Sequence, residues 1–260
     1  MKKILGIIPA RYASTRFPGK PLADICGRPM IQHVYERASQ AKNLSGVLIA
    51  TDDEKIFSAA KNFGGQVVMT GSNLPNGTSR CEEAAKIFGG DFDAVINIQG
   101  DEPLLDPLMI DEVAELLNEN YCATLCRPLE VLNNNPSTTS WFPSPCTGAA
   151  ENPNIVKVVM SQENYALYFS RSVIPFKRNE SSLPFYQHIG IYGYSLEFLK
   201  KYVTLPPTPL SEAESLEQLK ILEHGYKIKI KVTACKNPSI GVDTPEDLER
   251  VREIILNAPV

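Results

Sequence analysis

Four short apolar runs alternate with helix-like stretches over the first hundred residues, and this alternation limits the possible folds most strongly. The runs cover residues 3–8, 47–50, 67–69 and 93–98, and each is largely apolar along its length. Between them, residues 29–41, 55–63 and 80–88 carry apolar side chains at helical spacing. Continuously apolar strands joined by helices are typical of parallel sheets. The sequence therefore predicts a Rossmann-like α/β fold, with a mainly parallel central sheet and helices on both faces.

The loop after the first strand combines rigidity with positive charge. Arg11, Arg16 and Lys20 stand within ten residues, with Ser14 between them, and prolines exclude regular helix across the segment. A strand leading into a rigid loop with exposed N–H groups and cations is typical of a polyphosphate site. A solvated basic loop is the alternative. A P-loop is disfavoured because Pro21 stands where magnesium would need Ser or Thr, and no G-x-G-x-x-G follows the strand.

The loop at residues 71–80 precedes the third predicted helix and carries Asn76, Gly77 and Arg80. One interpretation is a plain loop-to-helix cap. The other is that these residues supply the donors that a nucleotide needs at a helix start. Both interpretations remain open from the residues alone.

Acidic residues at two predicted strand ends are candidate metal ligands. Asp101 and Glu102 follow the fourth strand, opposite the cationic loop, so a divalent metal between carboxylate and phosphate would explain the pairing. The alternative is that they cap the helix beginning near Pro107, although Asp106 already resembles that cap. Asp243 follows a predicted short strand at 240–242 and precedes a helix, so it is either a second metal carboxylate or an accessory to capping.

The second half of the chain contains a possible ligand-binding strand. Residues 155–160 and 165–170 are predicted as a β-hairpin, and residues 187–194 as a strand that places His188 and Tyr192 on one face. This polar face suits a small hydroxylated ligand, while a hydrogen-bonded core histidine is the alternative. Residues 211–224 predict an amphipathic helix on which Glu217 and Gln218 are simply exposed. The polar segment at 130–153 is predicted as an excursion loop.

Composition excludes several classes of function. The formal net charge of -4 disfavours nucleic-acid binding, which needs a basic face. No run approaches the roughly 20 apolar residues of a membrane-spanning helix, and the amino-terminal run is too short for a signal peptide. The six cysteines form no C-x-x-C pair, as expected for reduced thiols. We expect a soluble, cytoplasmic protein with no nucleic-acid or membrane partner.

Eight sequence blocks resemble the nucleotide-sugar cytidylyltransferases that activate acidic sugars, above all those acting on 3-deoxy-D-manno-octulosonate (Kdo). They occur in the family's order over nearly the whole chain. The blocks are IIPARYASTRFPGKPL (7–22), NGT with the nearby arginine (76–80), NIQGDEP (97–103), NIVKVV (154–159), ALYFSR (166–171), HIGIYGY (188–194), LEQL (216–219) and GVDTPEDLERVR (241–252).

The resemblance implies an enzyme that uses CTP and Kdo as substrates and Mg²⁺ as cofactor. It implies a nucleotide-diphospho-sugar transferase type of fold in one domain, residues 1–260, with a sugar-binding and dimerisation lobe at about 155–225. The family usually forms homodimers. The nearest alternatives are the same reaction on 8-amino Kdo or a neuraminate, and a non-catalytic nucleotide-binding protein.

The resemblance also assigns roles to individual residues. It places CTP on the first loop and the residues that follow the strands: Pro9, Ala10, Arg11, Ser14, Arg16, Lys20, Asn76, Gly77, Arg80 and Gln99. Magnesium is assigned to Asp101 and Asp243, and charge stabilisation during catalysis to Lys20 and Arg16. The sugar pocket is assigned to Arg171, His188, Tyr192, Glu217 and Gln218, which overrides the plain helical interpretation of the last two. Ser79 departs from the family, whose members often carry an acidic residue there.

Overall fold

The computed structural model describes residues 2–13, 17–129, 150–179, 182–236 and 240–257. Ser14, Arg16 and most of the predicted excursion loop at 130–153 lie outside the described residues. The elements in chain order are β1 (Ile4–Ala10), β2 (Asp24–Ile25), β3 (Arg28–Pro29), α1 (Met30–Ala38), β4 (Gly46–Thr51), α2 (Glu54–Asn62), β5 (Val67–Met69), α3 (Gly77–Phe88), β6 (Ala94–Asn97), α4 (Pro107–Leu116), β7 (Cys122–Pro128), β8 (Lys157–Met160), β9 (Ala166–Ser170), β10 (Tyr186–Ser195), α5 (Leu196–Thr204), α6 (Pro209–Glu214), α7 (Leu219–Glu223), β11 (Lys229–Val232) and α8 (Pro245–Leu256).

The chain divides into two compact units. The first comprises Met1–Cys122, Ile191–Val203 and Ala234–Val260, and the second comprises Ala123–Gly190 and Thr204–Thr233. Strand β10 contributes its first residues to the second unit and its last residues to the first. The lobe predicted at about 155–225 therefore includes residues 191–203, which belong to the first unit.

The first unit is built on a mostly parallel sheet in the order β10-β6-β1-β4-β5. β1 runs parallel to β4 and β6, β4 runs parallel to β5, and only β10 is antiparallel to its neighbour. The strands are buried along nearly their whole length, as their apolar sequences require. Flanking helices bury apolar stripes such as Met30, Ile31 and Val34 of α1. The predicted α/β fold with a mainly parallel sheet is confirmed.

Two predictions for the first unit are wrong in detail. α3 begins at Gly77, three residues before the predicted start, because the Asn76 side chain accepts a hydrogen bond from Ser79 N and so caps the helix. Residues 240–242 form no strand; Val242 N instead donates to Asp101 O at 2.9 Å. The β2–β3 hairpin and α5 were not predicted.

The second unit contains the predicted hairpin but not the predicted long helix. β8 and β9 are antiparallel, β8 also pairs with the start of β10, and β11 is parallel to β7. The helix expected at 211–224 is replaced by α6 and α7, since Ser215 adopts a left-handed conformation with φ of 52°. The Glu223 carboxylate accepts hydrogen bonds from the Thr208 hydroxyl and from Ser211 N, which fixes the start of α6.

Among the described residues, no helix has both the length and the apolar character needed to cross a bilayer.

Candidate functional site

Three chain segments meet at the carboxyl end of β1. A Cβ added to Gly100, in the turn after β6, would lie 2.8 Å from Pro9 O. A Cβ added to Gly77, at the start of α3, would lie 3.3 Å from Pro9 Cγ. Close approach of backbone therefore accounts for glycine at both positions. Pro9, Ala10, Gly77 and Gln99 are thus gathered at one sheet edge, where α/β folds bind ligands.

Lys20 lies between two carboxylates. Its ammonium Nζ is 2.7 Å from Asp101 Oδ2 and 3.3 Å from Asp243 Oδ1. The Lys20 side chain is only 13% exposed, while those of Asp101 and Asp243 are 33% and 47% exposed. The loop turns towards this position at Gly19, whose φ of 72° is the left-handed conformation that favours glycine. The structure thus brings three of the four predicted catalytic residues together, and the fourth, Arg16, lies outside the described residues.

Helix α8 holds Asp243 in position. The Asp247 carboxylate accepts hydrogen bonds from Asp243 N at 3.0 Å and Thr244 N at 2.9 Å, and Thr244 accepts in return from Asp247 N. This capping box satisfies the start of the helix without the Asp243 side chain. Val242 and α8 are anchored in an apolar cluster with Ile25, Met30, Leu248 and Val251. The carboxylate of Asp243 is therefore not needed as a cap.

The helix-cap alternative for Asp101 is also unnecessary. Asp106 caps α4 by accepting from Leu108 N at 2.9 Å, with Pro107 in the first turn as predicted. The acidic residues at 101 and 102 therefore precede a helix that already has its cap.

The donor set suits a hard divalent cation. Two carboxylates converge on one cationic group, and the described residues contain no cluster of three or more metal-binding side chains. Mg²⁺ is usually held by one or two carboxylates, with substrate phosphates and water completing its shell. Asp101 and Asp243 therefore fit Mg²⁺ that binds together with a phosphate-bearing ligand.

Arg80 is engaged inside the first unit. Its side chain is fully buried, with Nη1 2.5 Å from Thr70 Oγ1 and Nη2 2.9 Å from Asp52 Oδ2. Asp52 follows β4 and Thr70 follows β5, so the guanidinium links two strand ends to the first turns of α3. A direct contact of Arg80 with nucleotide stays a prediction. Sequence reasoning expected Asp52 at this sheet edge, but it did not predict that Asp52 and Thr70 would bind Arg80.

Arg11 and Asn76 also form hydrogen bonds within the first unit. Arg11 Nη2 donates a hydrogen bond to Leu74 O, and Asn76 caps α3.

Asn97, which sequence reasoning missed, ends β6 with its Oδ1 buried and without a hydrogen-bond partner among the described residues. Buried polar atoms are rarely left in this state, so Asn97 is a candidate ligand contact. The signal in the sequence was its position inside the NIQGDEP block.

Arg171 is held by the second unit through backbone and side-chain atoms. Its Nε donates to Glu214 O at 2.8 Å and its Nη1 to Pro153 O at 2.9 Å. Glu214 Oε2 accepts from Arg171 N at 2.9 Å. The guanidinium is thus fixed in orientation and remains half-buried. Sequence reasoning missed Glu214.

His188 of the second unit is neutral. The Thr124 hydroxyl donates to Ile189 O at 3.1 Å and lies 3.2 Å from His188 Nε2, so its oxygen accepts from the imidazole. This arrangement assigns the ring proton to Nε2 and leaves Nδ1 as an acceptor. The ring also packs edge-on against Phe169. Burial lowers the pKa of His188 to about 3.

The remaining predicted sugar residues occupy different settings. Glu217 and Gln218 lie in the turn between α6 and α7, and Glu217 is exposed while Gln218 is buried. Tyr192 belongs to the first unit, where its ring stacks on Tyr194 with centroids 5.9 Å apart.

The fold places the protein among the nucleotidyltransferases. A solved structure described as CMP:2-keto-3-deoxy-manno-octonic acid synthetase complexed with CTP matches with a TM-score of 0.87 and 38% identity. The match covers 99% of this chain and 100% of that one.

A family model described as Cytidylyltransferase matches residues 5–230, and the chain belongs to this family. The resemblance read from the sequence is confirmed. A 3-deoxy-manno-octulosonate cytidylyltransferase of Parabacteroides distasonis is 46% identical, over 99% of this chain and 100% of its own. An 8-amino-3,8-dideoxy-manno-octulosonate cytidylyltransferase of Shewanella pealeana is 48% identical, over 93% of this chain and 94% of its own.

Proposed function

We propose that this protein transfers CMP from CTP to the anomeric 2-hydroxyl of Kdo, giving CMP-Kdo and pyrophosphate. The observation that carries the proposal is the convergence of Lys20, Asp101 and Asp243 at the carboxyl edge of the sheet. Membership of the cytidylyltransferase family supports CTP as the donor. The names of relatives that span nearly the whole chain support an octulosonate as the acceptor.

In the proposed reaction the sugar hydroxyl oxygen attacks the α-phosphorus of CTP. The bond to the bridging oxygen breaks, pyrophosphate leaves, and the hydroxyl proton passes to solvent. Lys20 supplies positive charge near the phosphates, and Arg11 and Arg16 orient the triphosphate. When bound by Asp101 and Asp243, Mg²⁺ would add positive charge for the triphosphate and lower the pKa of the hydroxyl. Positioned charge of this kind stabilises the transition state because it needs no reorganisation.

Residues of the second unit bind the acidic sugar in this proposal. Arg171 suits its carboxylate, because a guanidinium forms strong charge-assisted hydrogen bonds with carboxylates. His188 has a pKa of about 3, too low for it to act as a base near neutral pH. It therefore positions a sugar hydroxyl through neutral hydrogen bonds.

The second candidate is the same reaction on an 8-amino sugar. The Shewanella pealeana relative carries that name at 48% identity, slightly above the identity of the Parabacteroides relative. The chemistry at the anomeric carbon is unchanged, so the two candidates differ only in the group that the sugar pocket accepts at carbon 8.

We further infer a cytoplasmic homodimer whose product supplies lipopolysaccharide synthesis. Support for the dimer is an exposed apolar set in the second unit, with Phe176 88% exposed. The other members are Leu167, Val173 and Leu183. Large exposed apolar side chains in one segment favour protein association. A second copy of this chain is the occupant that we propose.

The deciding experiment measures pyrophosphate release from CTP with Kdo, 8-amino Kdo or a neuraminate, each with and without Mg²⁺. Magnesium-dependent release with Kdo and with neither other sugar supports the proposal. Preference for 8-amino Kdo transfers the proposal to the second candidate. Silence with every sugar would overturn the enzymatic proposal.

A further inference from the structure

Lys157 is a fully buried lysine in an otherwise apolar strand of the second unit. Its Nζ donates to Asn152 O at 3.0 Å, to Ile155 O at 2.6 Å and to Arg171 O at 2.5 Å. All three N–H groups of the ammonium therefore have backbone acceptors, and none of these acceptors is a carboxylate. Burial lowers the pKa of Lys157, because the charged form has lost solvent. An apolar residue of similar length would avoid this cost, so the lysine has a purpose other than filling space.

The acceptors of Lys157 surround Arg171. One is the carbonyl of Arg171 itself, and the other two flank Pro153, whose carbonyl accepts from Arg171 Nη1. The ammonium therefore fixes both the backbone of Arg171 and the turn that holds one end of its guanidinium.

Glu214 fixes the other side of Arg171. Its carboxylate accepts from Ser170 Oγ at 2.6 Å and from Arg171 N at 2.9 Å, while its carbonyl accepts from Arg171 Nε. Of the guanidinium nitrogens, Nη2 makes no hydrogen bond to any other described residue. The remaining N–H donors of Arg171 therefore lie at the end of its guanidinium.

The charges of the three residues sum to +1, from two cations and one carboxylate. Burial lowers the pKa of Lys157, the Glu214 carboxylate raises it, and the Arg171 guanidinium lowers it, so Glu214 offsets part of the repulsion between the two cations. The surplus positive charge resides where the guanidinium retains unused donors. A single carboxylate would complete this arrangement.

We propose that Lys157 and Glu214 are positioning residues that orient Arg171 for the carboxylate of the sugar. The inference rests on the proposed function, in which Arg171 receives an acidic sugar. It assigns to Lys157 and Glu214 no contact with substrate. Their effect on the reaction passes through Arg171 alone.

The test is a double-mutant cycle on the full-length protein with the acidic sugar that the wild type accepts. Lys157→Met should raise the KM for sugar on the order of tenfold, as expected when a charge-assisted contact is misplaced, and change the KM for CTP less than twofold. In an Arg171→Ala background, Lys157→Met should have no further effect on the KM for sugar. Lys227→Met, which removes an exposed lysine of the same unit, is the matched control.

Additive effects in the cycle, or equal changes in both KM values, would overturn the positioning role while leaving the proposed function intact. Glu214→Gln is a second variant that should show the same pattern, and it serves if Lys157→Met does not fold. A wild type that accepts no acidic sugar would overturn both this inference and the proposed function.

Discussion

At the scale of the residue, Lys20 offsets the repulsion between two carboxylates, those of Asp101 and Asp243. Charged groups at 2.7 and 3.3 Å interact strongly where solvent is partly excluded. In the proposed reaction, the same ammonium also supplies positive charge for the phosphates of CTP.

Removing this ammonium should strengthen metal binding by the ligand-free protein. We expect Lys20→Met to raise the affinity for Mn²⁺ on the order of tenfold, because the two carboxylates lose their internal counter-ion. Electron paramagnetic resonance of free Mn²⁺ measures this without any turnover. The same titration with Lys55→Met controls for the loss of one surface charge, and an unchanged affinity in Lys20→Met would contradict the assignment.

Asp101→Asn should reduce turnover with CTP and sugar about 100-fold or more at saturating Mg²⁺, as expected when a metal ligand or charge-stabilising group is lost. Steady-state pyrophosphate release measures the effect. Asp106→Asn is the matched control, because asparagine caps α4 nearly as well as aspartate does. Near-normal turnover in Asp101→Asn would refute the metal assignment.

His188 should make stability depend on pH. Its folded pKa of about 3 lies below the value of about 6.5 in an unfolded chain, so only the unfolded state binds a proton between these values. The free energy of unfolding therefore falls as the pH drops from about 6.5 towards 3, by up to about 1.4 kcal/mol per unit. When it is measured by urea denaturation at pH 7, 6 and 5, the free energy of unfolding should fall less per pH unit in His188→Gln than in wild type. An equal dependence on pH in His188→Gln and wild type would contradict the assignment of a buried neutral imidazole.

At the scale of the element, the turn after β6 lies in close contact with the end of β1 at the candidate site. Gly100→Ala would force a Cβ to within 2.8 Å of Pro9 O, so the turn carrying Asp101 must shift. We expect a loss of about 1–3 kcal/mol in the free energy of unfolding and a weaker affinity for CTP. Chemical denaturation and calorimetric titration measure the two effects.

Gly241→Ala is the matched control for this substitution. A Cβ at Gly241 meets no atom within 4 Å, and Gly241 lies two residues before Asp243 in the sequence. It should therefore change stability and CTP affinity little. Equal effects of the two substitutions would show that the packing at Gly100 does not shape the site.

Periodicity predicted most elements but not those decided by distant side chains. The strands of the parallel sheet were predictable because their apolar runs are short and alternate with helix-like stretches. The break at Ser215, where φ is 52°, was not predictable from helical spacing, and the start of α6 depends on hydrogen bonds to Glu223, a residue further along the chain. Likewise, residues 240–242 resemble a strand locally, but Val242 N pairs with the turn at Asp101 instead of joining the sheet.

At the scale of the whole molecule, the sequence blocks predicted the family, while the supports of the site required coordinates. Asp101 could be nominated from its position after an apolar strand, and Lys20 from the basic loop, whereas the role of Asp243 came from the family resemblance. Lys157 lies inside the NIVKVV block, but neither this block nor the short helix that carries Glu214 indicates that the two residues hold Arg171. Their roles depend on backbone carbonyls and amides that no sequence displays.

The exposed apolar set of the second unit should control oligomeric state. We expect Phe176→Asp to weaken dimerisation on the order of tenfold or more, because a charge replaces an exposed aromatic anchor. Light scattering after size-exclusion chromatography at several protein concentrations measures the shift. Lys177→Asp, which changes the charge at the neighbouring residue, is the control. Unchanged dimerisation in Phe176→Asp would exclude this surface as the dimer interface.

The capping box that holds Asp243 also has a consequence for the order of events during synthesis. Lys20 emerges from the ribosome 223 residues before its second carboxylate partner. The parallel sheet can form as its strands emerge, whereas the cluster of Lys20, Asp101 and Asp243 is complete only after the segment that leads into α8 has been synthesised. A nascent chain can therefore form strands of the sheet before it contains all three charged residues, and a chain that ends before residue 243 lacks one of the two carboxylates.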